Sequence, residues 1–233
     1  MRIAMWSGPR NISTAMMYSF GNREDFSVWD EPFYAAYLMA TEIDHPMRGA
    51  VLAAHECSPE KVAAACSGPI PGGKAHFYMK HMPFHMVQGF PLDWARECVN
   101  VHLIRHPARV VASYAAKREN PTMQDIGYAR QTELFEMFPG PVLDSGDIRN
   151  DPEEMLKKLC DIIALPFDPA MLSWPAGTKP FDGAWAPHWY GAVHRSTGFA
   201  GPEGPLPVVE GPLADLVEEA LPHYERLFEQ RIR

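Results

Sequence analysis

The sequence predicts an α/β protein with a central parallel sheet of about five strands that is covered by helices on both faces. Short apolar segments with strand character recur between residues 2 and 144, and helical segments separate them. Because parallel strands need crossover connections, this alternation favours a three-layer arrangement of helices, sheet and helices. In such folds, ligands bind at the carboxyl ends of the strands.

Five segments carry the strand signal, and a polar or charged residue follows each of them directly. The predicted strands are residues 2–6, 26–29, 75–79, 99–104 and 141–144. The fourth is the clearest, since Val-Asn-Val-His-Leu-Ile is rich in β-branched and apolar side chains.

The rest of the chain is predicted to be helical where apolar residues recur at helical spacing. Asp151 and Asp168 each precede a proline, and this pair starts a helix because aspartate caps it and proline fits its first position. Residues 34–73 are interpreted as a helical lid or insertion, and residues 174–212, rich in proline, glycine and aromatic residues, as an ordered cover loop. Helices are expected from residue 13, in broken stretches over 34–67, over 92–98 and 109–117, from residues 152 and 169, and at the C terminus over 213–233.

The composition is that of one globular domain spanning residues 1–233. Of the 233 residues, 46% are hydrophobic and 21% are charged, and this length can bury one substantial core. A net charge of −8 argues against a nucleic-acid partner, because phosphate backbones are bound by clustered lysine and arginine. The four cysteines have no metal-ligand spacing, and no apolar run is long enough to span a membrane. Since a strand begins at residue 2, with no room for a signal peptide before it, a cytoplasmic location is expected.

A candidate anion site lies between the first strand and the first helix. The polar turn there contains Arg10, and Ser13 and Thr14 open the helix. Free backbone N–H groups and the dipole at a helix N-terminus both favour an anion. The turn differs from a Walker A loop because Ile12 and Ser13 stand where a Gly-Lys pair is expected. The alternative interpretation is an ordinary strand-to-helix turn that is capped by Ser13.

Ionisable residues follow four of the predicted strands at the position where each strand ends. They are Arg10, Glu31, Lys80, His81 and Arg105. A parallel sheet brings these strand ends to one edge, so we expect the five side chains to share a site. Arg105 offers a planar fork suited to phosphate, and Ser113 lies about two helical turns further on.

Two segments resemble those with which sulfotransferases bind 3′-phosphoadenosine 5′-phosphosulfate. Residues 103–114, Leu-Ile-Arg-His-Pro-Ala-Arg-Val-Val-Ala-Ser-Tyr, are similar to the 3′-phosphate-binding segment of that family. Residues 9–14, Pro-Arg-Asn-Ile-Ser-Thr, are similar to its 5′-phosphosulfate loop, usually Pro-Lys/Arg-Ser-Gly-Thr-Thr. The resemblance implies a three-layer fold of the P-loop NTPase type and this nucleotide as co-substrate. It also implies donor contacts from Arg10, Asn11, Ile12, Ser13, Thr14, Arg105 and Ser113.

The sequence departs from the family pattern at three positions of the donor site. Ile12 replaces the usual glycine and Asn11 the usual serine, while Ala15 stands where many members place an adenine-stacking tryptophan. The segment 194–199 is predicted to close over the nucleotide, with Arg195 near the 3′-phosphate. A plain surface turn is the alternative for this segment.

Sulfuryl transfer needs a cation at the leaving phosphate and a base for the proton of the acceptor. Arg10 is the candidate for the first role. For the second, the Glu-Pro pair at Glu31 resembles bacterial and carbohydrate sulfotransferases, whereas the His-Met-Pro at His81 resembles the His-Leu-Pro of small-molecule enzymes. Glu31 is favoured as the base, with His81 orienting the acceptor, and the reverse assignment stays open. No metal ion is expected, since a proline separates His81 from His85 and the sequence suggests no third ligand.

The acceptor is expected to be a small molecule with a hydroxyl or an amine. Trp174, Trp185, Trp189 and Tyr190 either cover its pocket or pack as the core of an irregular segment. Two other functions remain open: a nucleotide kinase or related phosphotransferase of the same fold, and a non-catalytic nucleotide-binding protein. The first requires a divalent metal, and the second binds the nucleotide without transfer to any acceptor.

Overall fold

A five-stranded parallel sheet forms the centre of the molecule. The computed structural model describes residues 1–116 and 121–233. The strands are arranged in the order β2-β3-β1-β4-β5, and the neighbouring pairs are parallel. This arrangement confirms the predicted α/β class. The bounds are β1 (Arg2–Ser7), β2 (Phe26–Asp30), β3 (His76–His81), β4 (Val99–Ile104) and β5 (Val142–Asp144).

The helices lie between and after these strands. Before β3 come α1 (Ser13–Gly21), α2 (Tyr34–Thr41), α3 (Arg48–Ala54) and α4 (Pro59–Ser67). Between β4 and β5 the sequence contains α5 (Pro107–Ala115), α6 (Met123–Ile126) and α7 (Tyr128–Met137). After β5 come α8 (Ser145–Asn150), α9 (Pro152–Ile162), α10 (Ala186–Trp189), α11 (Gly191–His194) and α12 (Pro212–Phe228). Among the residues described, none of these helices has the length and apolar character needed to cross a membrane.

The chain changes direction across the sheet between β1 and β4. From β1 it continues through α1 to β2 at one edge, whereas from β4 it continues to β5 at the other edge. Adjacent strands whose connections run apart leave a crevice at their carboxyl ends, where open α/β sheets bind ligands. The register places Ser7 beside Leu103 at this point, so the residues that follow β1 and β4 meet there.

The two faces of the sheet have separate cores, and this decides where the end of β3 points. On β1, Met5 packs with α1 in one hydrophobic cluster, and Trp6 packs in a second cluster. Side chains alternate between faces along a strand. Lys80 and His81 of β3 pair with Met5 and Trp6. Lys80 therefore lies on the α1 side of the sheet and His81 on the opposite side.

The structure confirms the strand predictions to within two residues and changes several helix predictions. The aspartate-proline starts are confirmed, because Asp151 accepts a hydrogen bond from the Glu154 amide at 3.0 Å and Asp168 one from Ala170 at 2.9 Å. The sequence did not predict α6, α7 and α8. Residues 93–97 form a 3-10 turn, and the C-terminal helix spans 212–228 where 213–233 was predicted.

The structure also gives the helices within the predicted lid and cover loop. Residues 34–73 contain α2 to α4, as the helical interpretation predicted, and the expected cover loop contains the short helices α10 and α11. The predicted helix over 109–117 is α5, although its last position, Lys117, lies outside the described residues. A single domain over residues 1–233 stays a prediction.

Candidate active site

A cavity of about 410 Å³ opens at the carboxyl edge of the sheet. Residues that follow β1, β2, β3 and β4 all contribute to its wall, as expected because parallel strands end at the same edge of the sheet. Its size is within the range of small-molecule sites. Of the residues predicted for the site, those that line the cavity are Arg10, Asn11, Ile12, Ser13, Thr14, Glu31, Lys80, Arg105 and Ser113.

The turn between β1 and α1 has a backbone conformation that favours glycine at two positions that are not glycine. Arg10 and Ile12 have φ angles of 61° and 59°, and the left-handed region costs a residue with a Cβ about 1–2 kcal/mol. Ile12 is the N-cap residue of α1, so the alternative in which Ser13 caps the helix is wrong. Asn11 anchors the turn to β4, because its Nδ2 donates to the Leu103 carbonyl at 3.1 Å.

The structure brings the two predicted phosphate-binding segments together. Arg10 Nε donates to Ser113 Oγ at 2.9 Å, and Arg105 Nη1 donates to the carbonyl oxygen of Arg10 at 2.5 Å. Burial lowers the pKa of Arg10, and the adjacent charge of Arg105 lowers it further. Since guanidinium groups at such positions repel each other, an anion bound between them is stabilised.

A buried ion-pair network lies beside this turn. Lys80 Nζ is 3.0 Å from Asp30 Oδ1 and 2.7 Å from Glu31 Oε1. The Tyr190 hydroxyl accepts from Lys80 at 2.6 Å and donates to Asp30 Oδ2 at 2.7 Å. Lys80 Nζ also lies 3.5 Å from Thr14 Oγ1. The network therefore reaches the first turn of α1, next to the candidate anion site.

The network sets the protonation of Glu31. Burial raises the pKa of Glu31 to about 7, since it outweighs the opposing attraction of Lys80, and the charge of Asp30 adds to the increase. Burial alone favours neutral Lys80, but the two carboxylates more than compensate and raise its pKa. Glu31 also has a φ of 41°, a strained backbone of the kind that clusters at functional sites. A carboxylate with a pKa near neutrality, at the wall of a cavity, has the properties of a general base.

His81 does not reach the cavity. The residue is 1% exposed. The centroid of its ring lies 4.8 Å from that of Trp6 and 4.7 Å from that of Trp94, with the rings tilted to each other. Within residues 1–116 and 121–233, neither ring nitrogen has a hydrogen-bond partner, and burial lowers the pKa to about 3. The strand alternation described above is the reason: the position that faces the site on β3 is Lys80. The structure therefore does not support a role for His81 as base or as acceptor-orienting residue.

Arg195 is also placed away from the site. It follows α11 with an exposed side chain, outside the group of described residues that line the cavity. Ser196, Gly198 and Phe199 of the same segment do line it, and the closure of residues 194–199 over the nucleotide stays a prediction. Arg149 of α8 also lines the cavity, and the sequence did not suggest it because α8 was not predicted.

The aromatic residues of the cover loop divide between the two roles that the sequence left open. Trp189 and Tyr190 line the cavity. Trp174 and Trp185 are 3% and 1% exposed and belong to the main hydrophobic core. Tyr190 has both functions, because its hydroxyl also accepts a hydrogen bond from Trp185 Nε1 at 3.0 Å.

The far end of the cavity, beyond Glu31, has an apolar and uncharged character. Tyr34 and His85 stack with ring centroids 4.6 Å apart, and Met82 and Phe84 contribute apolar surface. Burial holds the pKa of His85 well below its usual range, so the imidazole is neutral. Among the described residues, no group of three or more histidine, cysteine, aspartate or glutamate side chains could hold a metal ion.

Comparison with known proteins identifies the family to which this chain belongs. A model of the sulfotransferase domain matches residues 1–231. The chain therefore belongs to the sulfotransferase domain family. The resemblance on residues 9–14 and 103–114 is thereby confirmed over nearly the whole chain.

The chain is also similar to two curated proteins in sequence and to a solved structure in fold. The chain is 36% identical over 231 residues to the branched-chain-amino-acid aminotransferase-like protein 2 of Arabidopsis thaliana, and 38% identical to protein 1 of that name. These matches cover 97% of this chain but 41% of each relative, so the chain spans about two fifths of their length. Among solved structures, the sulfotransferase domain from the curacin biosynthetic pathway aligns with a TM-score of 0.56 at 15% identity, covering 94% of this chain and 95% of that one. This last likeness is one of fold.

Proposed function

We propose that this protein transfers a sulfuryl group from 3′-phosphoadenosine 5′-phosphosulfate to a hydroxyl or an amine of a small molecule. The observation that carries the proposal is the union of two phosphate-binding segments at one cavity, linked by the 2.9 Å hydrogen bond from Arg10 to Ser113, with a carboxylate of raised pKa in the same wall. Membership of the sulfotransferase domain family supports a nucleotide sulfate as the donor.

The donor occupies the half of the cavity that contains the arginines. The 5′-phosphosulfate binds to the N–H groups at the start of α1, with Arg10, Ser13 and Thr14 as further donors of hydrogen bonds. The 3′-phosphate binds to Arg105 and Ser113. Two separate anion sites suit a nucleotide that carries two separate anionic groups, whereas an ordinary adenosine 5′-phosphate fills one of them.

The acceptor occupies the apolar half, beside Glu31. Its oxygen or nitrogen attacks the sulfur, and the bond between the sulfur and the bridging phosphate oxygen breaks. The proton of the acceptor passes to the carboxylate of Glu31, and the leaving adenosine 3′,5′-bisphosphate keeps the electron pair. Arg10 stabilises the charge that develops on that leaving group. Lys80 Nζ, 3.5 Å from Thr14 Oγ1, lies on the same side and holds Glu31 in place through their ion pair.

The acceptor half favours a small, uncharged molecule with an apolar body. Tyr34, His85, Met82 and Phe84 offer aromatic and apolar surface, and Trp189 closes the wall. Lys80 is compensated by Asp30 and Glu31, so this end of the cavity carries little excess charge with which to hold a second anion. The cytoplasmic location and the independence from metal ions remain predictions that accompany this function.

A donor and acceptor screen tests the proposal. The purified protein is incubated with the sulfated nucleotide and a panel of phenols, alcohols and amines, and adenosine 3′,5′-bisphosphate is quantified by chromatography. Acceptor-dependent product that persists in EDTA is the expected result. Turnover of ATP that requires Mg²⁺ would instead identify a phosphotransferase, and tight binding of the bisphosphate without turnover of any acceptor would identify a non-catalytic nucleotide-binding protein.

A further inference from the structure

Three arginines hold one carboxylate at the entrance to the proposed 3′-phosphate site. Glu203 Oε1 lies 2.5 Å from Arg105 Nη2 and 2.7 Å from Arg149 Nη1, and its Oε2 lies 2.6 Å from Arg109 Nε. The Glu203 side chain is 7% exposed. A carboxylate of the protein is therefore already bound to Arg105, the residue that the 3′-phosphate is proposed to contact.

The charges at this point are unequal. Burial raises the pKa of Glu203, but Arg105, Arg109 and Arg149 outweigh it and hold the pKa below its ordinary value. Glu203 is therefore ionised at neutral pH, and a single negative charge faces three positive ones. A phosphate monoester carries about −1.5 to −2 charges and has three acceptor oxygens, so it matches three guanidinium groups better than a carboxylate does.

The three arginines lie in or next to regular secondary structure, whereas the carboxylate does not. Arg105, Arg109 and Arg149 lie at the end of β4, on α5 and on α8. Glu203 belongs to the irregular segment 200–210.

Polar contacts to the same arginines fix the segment around Glu203. Arg149 Nε donates to the Gly201 carbonyl at 2.8 Å, and Arg109 Nη2 donates to that of Gly204. Leu206 and Val208 are 49% and 86% exposed, whereas Phe199 and Val209, on either side, pack against hydrophobic clusters. Residues 201–206 are therefore attached mainly through the arginines, so a competing anion at the arginines releases this stretch.

We propose that Glu203 is a displaceable plug of the phosphate site, which competes with the donor for Arg105 and leaves Arg109 and Arg149 as additional phosphate ligands when it moves. This inference rests on the proposed function and adds a level of control to it. Because the binding-competent state is the one with Glu203 displaced, the plug weakens the apparent donor affinity by the fraction of molecules in that state. It also imposes selectivity, since a nucleotide without the 3′-phosphate gains nothing from displacing it.

Replacement of the carboxylate by an amide tests the plug. Glu203→Gln keeps the size of the side chain but removes its charge, and Glu210→Gln, an exposed position of the same segment, is the matched control. Calorimetric titrations compare adenosine 3′,5′-bisphosphate, adenosine 5′-monophosphate and inorganic phosphate. We expect Glu203→Gln to bind the bisphosphate and inorganic phosphate about tenfold more tightly than the wild type, about 1.4 kcal/mol, with affinity for the monophosphate and behaviour of the control unchanged.

The three ligands distinguish a failure of the Glu203 proposal from a failure of the proposed donor site. If the wild type shows no preference for the bisphosphate over the monophosphate, the proposed function is wrong, while the inorganic-phosphate arm still reports on Glu203. Unchanged or weaker phosphate binding in Glu203→Gln overturns the plug, because it makes Glu203 a structural partner of the arginines. Hydrogen exchange of the amides at 200–208 gives a second readout: it rises in Glu203→Gln without ligand and in the wild type when the bisphosphate is added, whereas protection by the bisphosphate contradicts displacement.

Discussion

Lys80 Nζ lies 2.7 Å from Glu31 Oε1, and the two side chains are 0% and 7% exposed. This pair connects the ends of β3 and β2 at the edge where β1 and β4 supply the arginines. A buried carboxylate next to a buried ammonium is held in one orientation, and its proton affinity depends on its partners. The position and the pKa of Glu31, the candidate base, thus both depend on the ends of neighbouring strands.

Loss of the carboxylate at Glu31 should lower turnover without weakening the donor. Glu31→Gln keeps the shape of the side chain but cannot accept the acceptor's proton, so kcat should fall by roughly 10²–10⁴. The affinity for adenosine 3′,5′-bisphosphate, measured by calorimetry, should change little, because the phosphates bind to Arg10 and Arg105. Glu24→Gln, at an exposed position, is the control. Near-normal turnover of Glu31→Gln would remove Glu31 from the mechanism.

The rate should increase with pH through neutrality. The pKa of Glu31 is about 7, and the base is active only when deprotonated, so the active fraction grows as the pH rises through that value. His81, with a pKa of about 3 and no access to the cavity, contributes no such limb. The measurement is kcat/KM with a neutral acceptor across about pH 5–9. A flat profile in the wild type, or the same limb in Glu31→Gln, contradicts the assignment.

The residues that follow the predicted strands show how far the sequence could predict this site. Because parallel strands end together at one edge of the sheet, the sequence placed Arg10, Glu31 and Arg105 at that edge. This prediction failed for His81 because Lys80 and His81 are consecutive residues of β3, and consecutive side chains of a strand point to opposite faces of the sheet. Register with Met5 and Trp6, which depends on pairing between β1 and β3, decides which of the two faces the cavity.

The remaining features depend on contacts that are distant in sequence. Glu203 meets Arg105 across 98 positions, and Tyr190 meets Asp30 across 160. A carboxylate in a proline-rich loop and a tyrosine among other aromatic residues carry no local signal for these pairings. The start of α8 was missed for a different reason. Asp144 caps it by accepting from the Gly146 amide at 2.7 Å, but Asp-Ser-Gly-Asp has the composition of a turn.

Removal of Arg105 should weaken the bisphosphate selectively. Arg105→Ala deletes the guanidinium that reaches both the Arg10 carbonyl and the candidate 3′-phosphate position. We expect a loss of about 1.5–3 kcal/mol in binding adenosine 3′,5′-bisphosphate, the range for charge-assisted hydrogen bonds. Adenosine 5′-monophosphate should lose far less, and Arg226→Ala, at a 60% exposed side chain on α12, should leave both unchanged. Equal losses for the two nucleotides in calorimetry would refute the 3′-phosphate assignment.

The final prediction concerns the stability that Lys80 provides. Lys80→Met keeps the apolar stem but leaves Asp30 and Glu31 buried side by side, and removal of one partner from a buried ion pair costs about 3–5 kcal/mol in the free energy of unfolding. Without Lys80, the pKa of Glu31 rises further, because burial and the charge of Asp30 then act on it unopposed by the ammonium. Groups with raised pKa values in the folded state stabilise it at low pH and lose that contribution as pH rises. The deficit relative to the wild type should therefore be largest near pH 8 and shrink towards about pH 5.

Denaturant unfolding at several pH values measures this, with Lys61→Met as the control. Lys61 pairs with Glu56 at 3.4 Å, but its side chain is 73% exposed, and exposed ion pairs contribute little. The control should therefore unfold like the wild type at each pH. A Lys80→Met variant as stable as the wild type near pH 8 would contradict a stabilising role for the buried ion pairs of Lys80 with Asp30 and Glu31.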